Sequence, residues 1–431
     1  MLQSTVNAFR LPDVRRKLLF TFGILIVYRV AAAIPVPNVD PANLHRLLSQ
    51  NGLFQLLSLF GGGTGQLSIV MLGVYPYITA QIALQILQPV IPRLEEMFRE
   101  GGEAGRQRMN QIIRIVTVPL SMLQALGQGA LLSSYGALRG YGIFDAHTFL
   151  PTVQFLITAT AGTMFLIWLG ELITENGIGN GISIIIFAGI IARLPSAVGA
   201  ELQTSPLTVV ALGVISALII AAIVFVQQAQ RRIPVQYAKR VVGRRVMQGQ
   251  STFIPIPVNS AGMIPLIFAI SIVTAPYIIA SYFYSWTTGV VKGFFTFLYN
   301  TFSYNSLSPI YWVLYFLLVV GFTYFYTAIQ FQQQRLPETL QKNGGFIPGY
   351  RPGAQTTAYL TRVVNRVTSA GALFLGTIAL LPFIVHVLIP GTSGNLSFLS
   401  TSLLIVVGVV IDTMRQLEAQ LMMRNYQGFM K

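Results

Sequence analysis

Ten long apolar stretches run through this chain, and none carries an ionisable side chain at its middle. The ionisable residues that touch them are Arg29, two residues past the middle of the first, and Arg114, Glu171, Arg193, His386 and Asp412 nearer the ends. A charge at the bilayer centre is costly and marks an ion path, a proton relay or a voltage sensor. A many-span protein without one is a poor candidate for an ion-coupled pump. Only 10% of residues are charged, against about a quarter in soluble domains, and the mean hydropathy is +0.64. The chain therefore reads as an integral membrane protein.

Spans of crossing length are predicted at 18–36, 68–90, 112–132, 151–171, 181–198, 207–227, 259–283, 309–331, 368–389 and 398–414. Arg10, Arg15, Arg16 and Lys17 precede the first, and no small-residue cleavage site follows a short apolar core, so it reads as a retained helix. With the N-terminus inside, the outside segments hold only Arg46, Arg139 and Lys292, and the other loop cations fall inside. That asymmetry predicts both termini in the cytoplasm.

Five spans in each half invert the second half relative to the first, as in an inverted repeat. The second span of each half opens with G-x-x-P-x-I: Gly73 to Ile78, and Gly262 to Ile267. Matching Gly and Pro interruptions in two halves point to a functional centre between them. The expected fold is an all-α polytopic membrane protein: ten transmembrane helices in two inverted five-helix halves. The N-terminal half is 1–198, the C-terminal half 199–414, and a cytoplasmic tail covers 415–431. Before span 2, the apolar piece 53–60 is too short to cross and is tethered by Gly61, Gly62, Gly63, Thr64 and Gly65. It reads equally as a re-entrant element or as an amphipathic helix at the outer interface.

Two inside loops are long. Residues 228–258 hold Arg231, Arg232, Lys239, Arg240, Arg244 and Arg245 and no acid; residues 332–367 centre on a Gly- and Pro-rich turn carrying Arg351 near its tip. Paired cations spread through such loops exceed what orientation needs, so the loops read as docking surfaces for anionic lipid, nucleic acid or an acidic protein face. Zero cysteines exclude disulfides and thiolate metal sites, and His45, His147 and His386 are scattered. No metalloprotease, nucleophile-elbow or Walker A pattern occurs. Gly177 to Gly181 reads as a tight turn between spans 4 and 5, with Glu171 and Glu175 solvated beside it. The chain is not expected to be an enzyme or to need a cofactor. An inverted-repeat transporter is the competing class; the charge-free core counts against it.

The stretch from Thr174 to Gly189, which contains GIGNGIS, resembles the SecY family of bacterial protein-translocation channels. So do the Gly344–Gly353 turn, Ile34-Pro-Val-Pro37 and Thr401 to Val407, and the likeness runs nearly end to end. The resemblance implies a central pore that passes unfolded secretory polypeptides and releases transmembrane segments into lipid through a lateral gate. It implies a pore ring of Ile78, Ile82, Ile182, Ile186, Ile267 and Ile405. It implies a plug at about 53–66, including Phe54, Leu57, Leu59, Phe60, Gly61, Gly62 and Gly63. Spans 2, 3, 7 and 8 would form the lateral gate, with Pro76, Asn259 and Pro265 at gate positions. The loop cations, Arg351 above all, would bind the motor ATPase SecA or the ribosome. Further implied partners are the small subunits SecE and SecG, signal sequences and nascent chains, anionic lipids, SecDF and YidC. The implied location is the bacterial plasma membrane.

Overall fold

The computed structural model describes residues 12–40, 67–388 and 402–418, apart from 89–90, 101, 135, 139, 143–145, 205, 238–239, 243–244, 248–250, 263, 285–288, 303–307, 335 and 404. Helices form its body. They are α1 (Pro12–Ala33), α2 (Tyr75–Leu87), α3 (Pro92–Glu100), α4 (Gly102–Ser134), α5 (Ala146–Asn176), α6 (Gly181–Thr204) and α7 (Pro206–Gln228). After four strands come α8 (Ile264–Tyr284), α9 (Gly289–Phe302), α10 (Pro309–Gln334), α11 (Leu336–Lys342) and α12 (Ala354–Leu388). Residues 405–418, here α13, are helical too. Proline begins α1, α3, α7 and α10, where its missing N–H leaves no helical bond unmade and its fixed φ suits the first turn.

Among the described residues, four helical stretches are long and apolar enough to cross a membrane: Gln107–Ala130, His147–Asn176, Pro309–Lys342 and Ala354–Leu381. Gly181–Ala192, Gly213–Gln228 and Ile264–Tyr277 are shorter apolar helices. Hydroxyl side chains inside these helices bond back to the carbonyl four residues earlier, as Thr117 does to Ile113, Ser271 to Ile267 and Thr323 to Val319. That local bond satisfies a polar group where no water competes.

Spans 2 and 7 start later than the sequence suggests. Residues 69–74 form turns, and α2 begins only at Tyr75; α8 begins at Ile264, not at 259. Gly73 and Gly262 take left-handed φ values of 60° and 66°, which a helix cannot contain, and the proline two residues into each new helix suits a helix start. The turn ahead of α2 is tied to the end of α1. Val36 N–H donates to the Leu67 carbonyl (2.9 Å) and Ile69 N–H to the Ile34 carbonyl (3.0 Å), so the Ile34–Pro37 motif forms a small bridge there.

The strands were not foreseen in an all-helical chain. β1 (Gln230–Tyr237) pairs antiparallel with β4 (Ser251–Pro257), in register from Gln230 opposite Pro257 to Gln236 opposite Ser251. β2 (Arg240–Val242) and β3 (Arg245–Met247) make a second small hairpin. The third strand of the first sheet, β5 (Gly345–Phe346), comes from the other long loop and adds to the free edge of β1. Ile233, Val235 and Ile256 bury against Leu340, Ile347, Leu360 and Val364, so both loops share one apolar core.

The Thr174–Gly189 motif is a close turn held by the side chains of Thr174 and Asn180. Asn180 Oδ1 accepts from the N–H groups of Ile182 and Ser183 (3.1 and 3.2 Å), capping α6. Thr174 Oγ1 accepts from Gly181 N–H at 2.9 Å. A side chain at Gly181 would run into the Gly170 carbonyl, and one at Gly177 into Thr21 and Ile173. Glycine is what lets α5 and α6 cross so closely beside α1. Glu171, expected in solvent, pairs instead with Arg114 Nε at 2.5 Å, tying α4 to α5; ionisable groups in membrane segments commonly pair with one another.

Candidate functional site: an apolar constriction and a polar seam

Six isoleucines from four helices belong to or pack against one apolar cluster. Ile78 and Ile82 lie one turn apart on α2, Ile182 and Ile186 likewise on α6, Ile267 on α8 and Ile405 on α13, and each i, i+4 pair shares a helix face. Ile78, Ile82, Ile186, Ile267 and Ile405 are buried in one continuous apolar cluster, and Ile182 packs against it half-buried. Aliphatic side chains offer ions no partner. A ring of them can hold ions back by excluding water while yielding to a bulkier, deformable chain.

α8 packs against α2, α4, α9 and α10. Pro76 and Pro265 are buried at the starts of α2 and α8. Asn259 lies in the turn before α8, buried, with its Nδ2 donating to the Gly262 carbonyl at 3.1 Å. Where α2 meets α8, the Tyr75 hydroxyl reaches the Ser271 and Thr274 hydroxyls. Both of those already donate to carbonyls of their own helix, Ile267 at 2.7 Å and Ile270 at 2.8 Å, so either can accept the tyrosine's single proton on a free lone pair. The sequence reading missed this seam. Its one signal was two hydroxyls at i, i+3 spacing on the apolar helix that carries Ile267.

On the basic loops, Arg231 and Arg232 lie exposed on β1, and Arg232 stacks over the Phe253 ring at 4.8 Å. Arg240 and Arg245 fall on the β2–β3 hairpin. Arg351 is exposed in the turn after β5. Gly349 and Gly353, with φ values of 87° and 104°, make that turn possible, and Thr356 Oγ1 donates to the Arg351 carbonyl at 2.8 Å. Tyr350 stacks on Tyr359 of α12, ring centroids 4.1 Å apart, so the neighbour of Arg351 is clamped to a helix. Lys239, Arg244 and the plug residues Phe54, Leu57, Leu59, Phe60, Gly61, Gly62 and Gly63 lie outside the described residues.

Comparison with known proteins decides the family. The SecY family model matches residues 68–414. The chain is 45% identical to the protein translocase subunit SecY of Streptomyces galbus and 42% to that of Mycobacterium leprae, each alignment covering 100% of both chains. This chain belongs to the SecY family. As a SecY-family chain it is a multi-pass membrane protein and a protein-conducting channel subunit of the Sec translocon, not an enzyme. The fold agrees with a solved structure described as that of a protein conducting channel, at TM-score 0.61 and 17% identity over 94% of this chain and 92% of that one. It agrees equally with Sec61 from a canine ribosome-channel complex, at TM-score 0.59 and 18% identity over the same shares.

Proposed function

We propose that this SecY-family chain builds its channel from two inverted five-helix halves, 1–198 and 199–414, with the 415–431 tail and both termini in the cytoplasm. The constriction is the ring of Ile78, Ile82, Ile182, Ile186, Ile267 and Ile405. What supports this reading is that these six side chains, drawn from both halves of the sequence, belong to or pack against one apolar cluster. Segment 53–66 acts as a plug on the outer side. Signal sequences leave between α2 and α4 on one side and α8 and α10 on the other, where the Tyr75 seam and the buried Pro76, Asn259 and Pro265 lie.

The shared sheet of the two cytoplasmic loops is the docking platform. Arg351 engages SecA, while Arg231, Arg232 and the remaining pairs Lys239, Arg240, Arg244 and Arg245 engage ribosomal RNA, whose phosphates need cations without sequence readout. SecE and SecG complete the complex, with anionic lipids, SecDF and YidC as further partners in a bacterial plasma membrane. The test is reconstitution of the complex in vesicles with purified motor and an unfolded secretory precursor. Protection of the precursor from external protease supports the reading. A complex that binds motor and ribosome but protects nothing would overturn it.

A further inference from the structure

α10 and α12 leave an open groove of about 560 Å³ between them, lined by Tyr324, Thr361, Arg362, Asn365, Arg366 and Ser369. Arg362 and Arg366 lie one turn apart on one face of α12, both exposed. Neither α10 nor α12 contains an aspartate or glutamate, and neither arginine joins an ion pair among the described residues. The floor of the groove is already satisfied: Tyr324 Oη donates to Ser369 Oγ at 2.6 Å, and Ser369 Oγ donates to the Asn365 carbonyl at 2.9 Å. What remains unmet is two guanidiniums, each able to fork two N–H donors onto one phosphate.

Position in the helix selects the source of that phosphate. α12 changes from polar to apolar at about residue 368, so Arg366 stands at the edge of its hydrophobic part. Seven residues deeper, about 10 Å along the axis, Leu373 lies on the same face; Leu317 is likewise seven residues from Tyr324 on α10. Both leucines are 58% exposed. A cationic mouth that continues into an exposed aliphatic strip fits a molecule with an anionic head and apolar tails. Basic pockets between membrane helices on the cytoplasmic side are suited to such headgroups.

We propose that the Arg362–Arg366 groove binds the phosphate of an anionic phospholipid of the cytoplasmic leaflet, with its acyl chains along Leu317 and Leu373. The leaflet rests on the orientation given under the proposed function; the groove does not.

The test uses the purified complex in phosphatidylcholine vesicles carrying a photoactivatable phosphatidylglycerol confined to one leaflet, with labelled peptides mapped by mass spectrometry. Labelling should fall on the facing parts of α10 and α12. It should drop about thirtyfold in R362Q/R366Q, from two lost cations at the membrane surface. It should survive in part in R362K/R366K and stay unchanged in R231Q/R232Q. Capture only from the opposite leaflet would sustain the groove and overturn the orientation. Equal labelling in the glutamine pair would overturn the proposal. So would displacement of the probe by inorganic phosphate alone, the mark of a free-anion site. Loss of ribosome binding with labelling intact would assign the arginines to RNA and overturn it as well.

Discussion

Gly73 and Gly262 hold the same left-handed backbone state, φ 60° and 66°, each two residues ahead of a helix whose second residue is proline. The turn that starts α2 is thus repeated at the start of α8, and these two helices carry Ile78, Ile82 and Ile267 into the central apolar cluster. Among the described residues, no atom beyond its chain neighbours lies within 4 Å of where a Cβ at Gly262 would stand, so the cost of a side chain there is in the backbone itself. Gly262→Ala should destabilise the complex by about 1–2 kcal/mol, and Gly262→Asn by less, because asparagine tolerates this region. Thermal unfolding in detergent checks the order; an alanine variant as stable as wild type would remove the argument.

The seal is a matter of wetting. Ile186 is buried in the cluster, and Ile186→Asn brings a hydrogen-bonding group that water can solvate at the constriction. Planar-bilayer recordings should show ion leak in the resting channel, and export should tolerate weaker signal sequences. Wild-type conductance together with wild-type selectivity would take Ile186 out of the ring.

Tyr75→Phe removes only the donor of the seam, since Ser271 and Thr274 keep their bonds to α8 carbonyls. One such bond is worth about 0.5–1.5 kcal/mol, so the closed gate should weaken by up to about tenfold. A precursor with a crippled signal sequence should be exported faster, and Ser271→Ala in the Tyr75→Phe background should add little. If the two substitutions add fully, the hydroxyls do not act together.

The docking tip separates push from affinity. Arg351→Glu should stop motor-driven export while the protein stays in the membrane, and Arg351→Lys should keep part of the activity, lacking the fork of donors. Charge reversal at Arg231 and Arg232 should instead weaken ribosome binding, more at low salt than at high, because exposed charges are screened. Full export by the Arg351→Glu channel would leave that turn without a part in the mechanism.

Much of this was legible in the chain. Long apolar stretches pointed to the helices, and Gly73-Pro76 and Gly262-Pro265 to the repeated turn, though not to the fact that the glycine lies before the helix instead of within it. The sheet was hidden for physical reasons. β1 contains Pro234 and exposed arginines and β4 contains Pro255, which argue against strands, and β5 joins from a loop about a hundred residues away. The Arg114–Glu171 pair and the Tyr75 seam were hidden for another reason: a polar residue in an apolar helix does not announce its partner, which only packing brings near.

The most direct measurement is a crosslink. The proposed constriction includes position 267, so a photoreactive residue there should label a nascent chain arrested part-way through export, and label nothing when the channel is idle. A probe at exposed Leu373 on α12, read in the same sample, should not label the arrested polypeptide. Labelling at 373 but not at 267 would place the path outside the isoleucine ring and contradict the account.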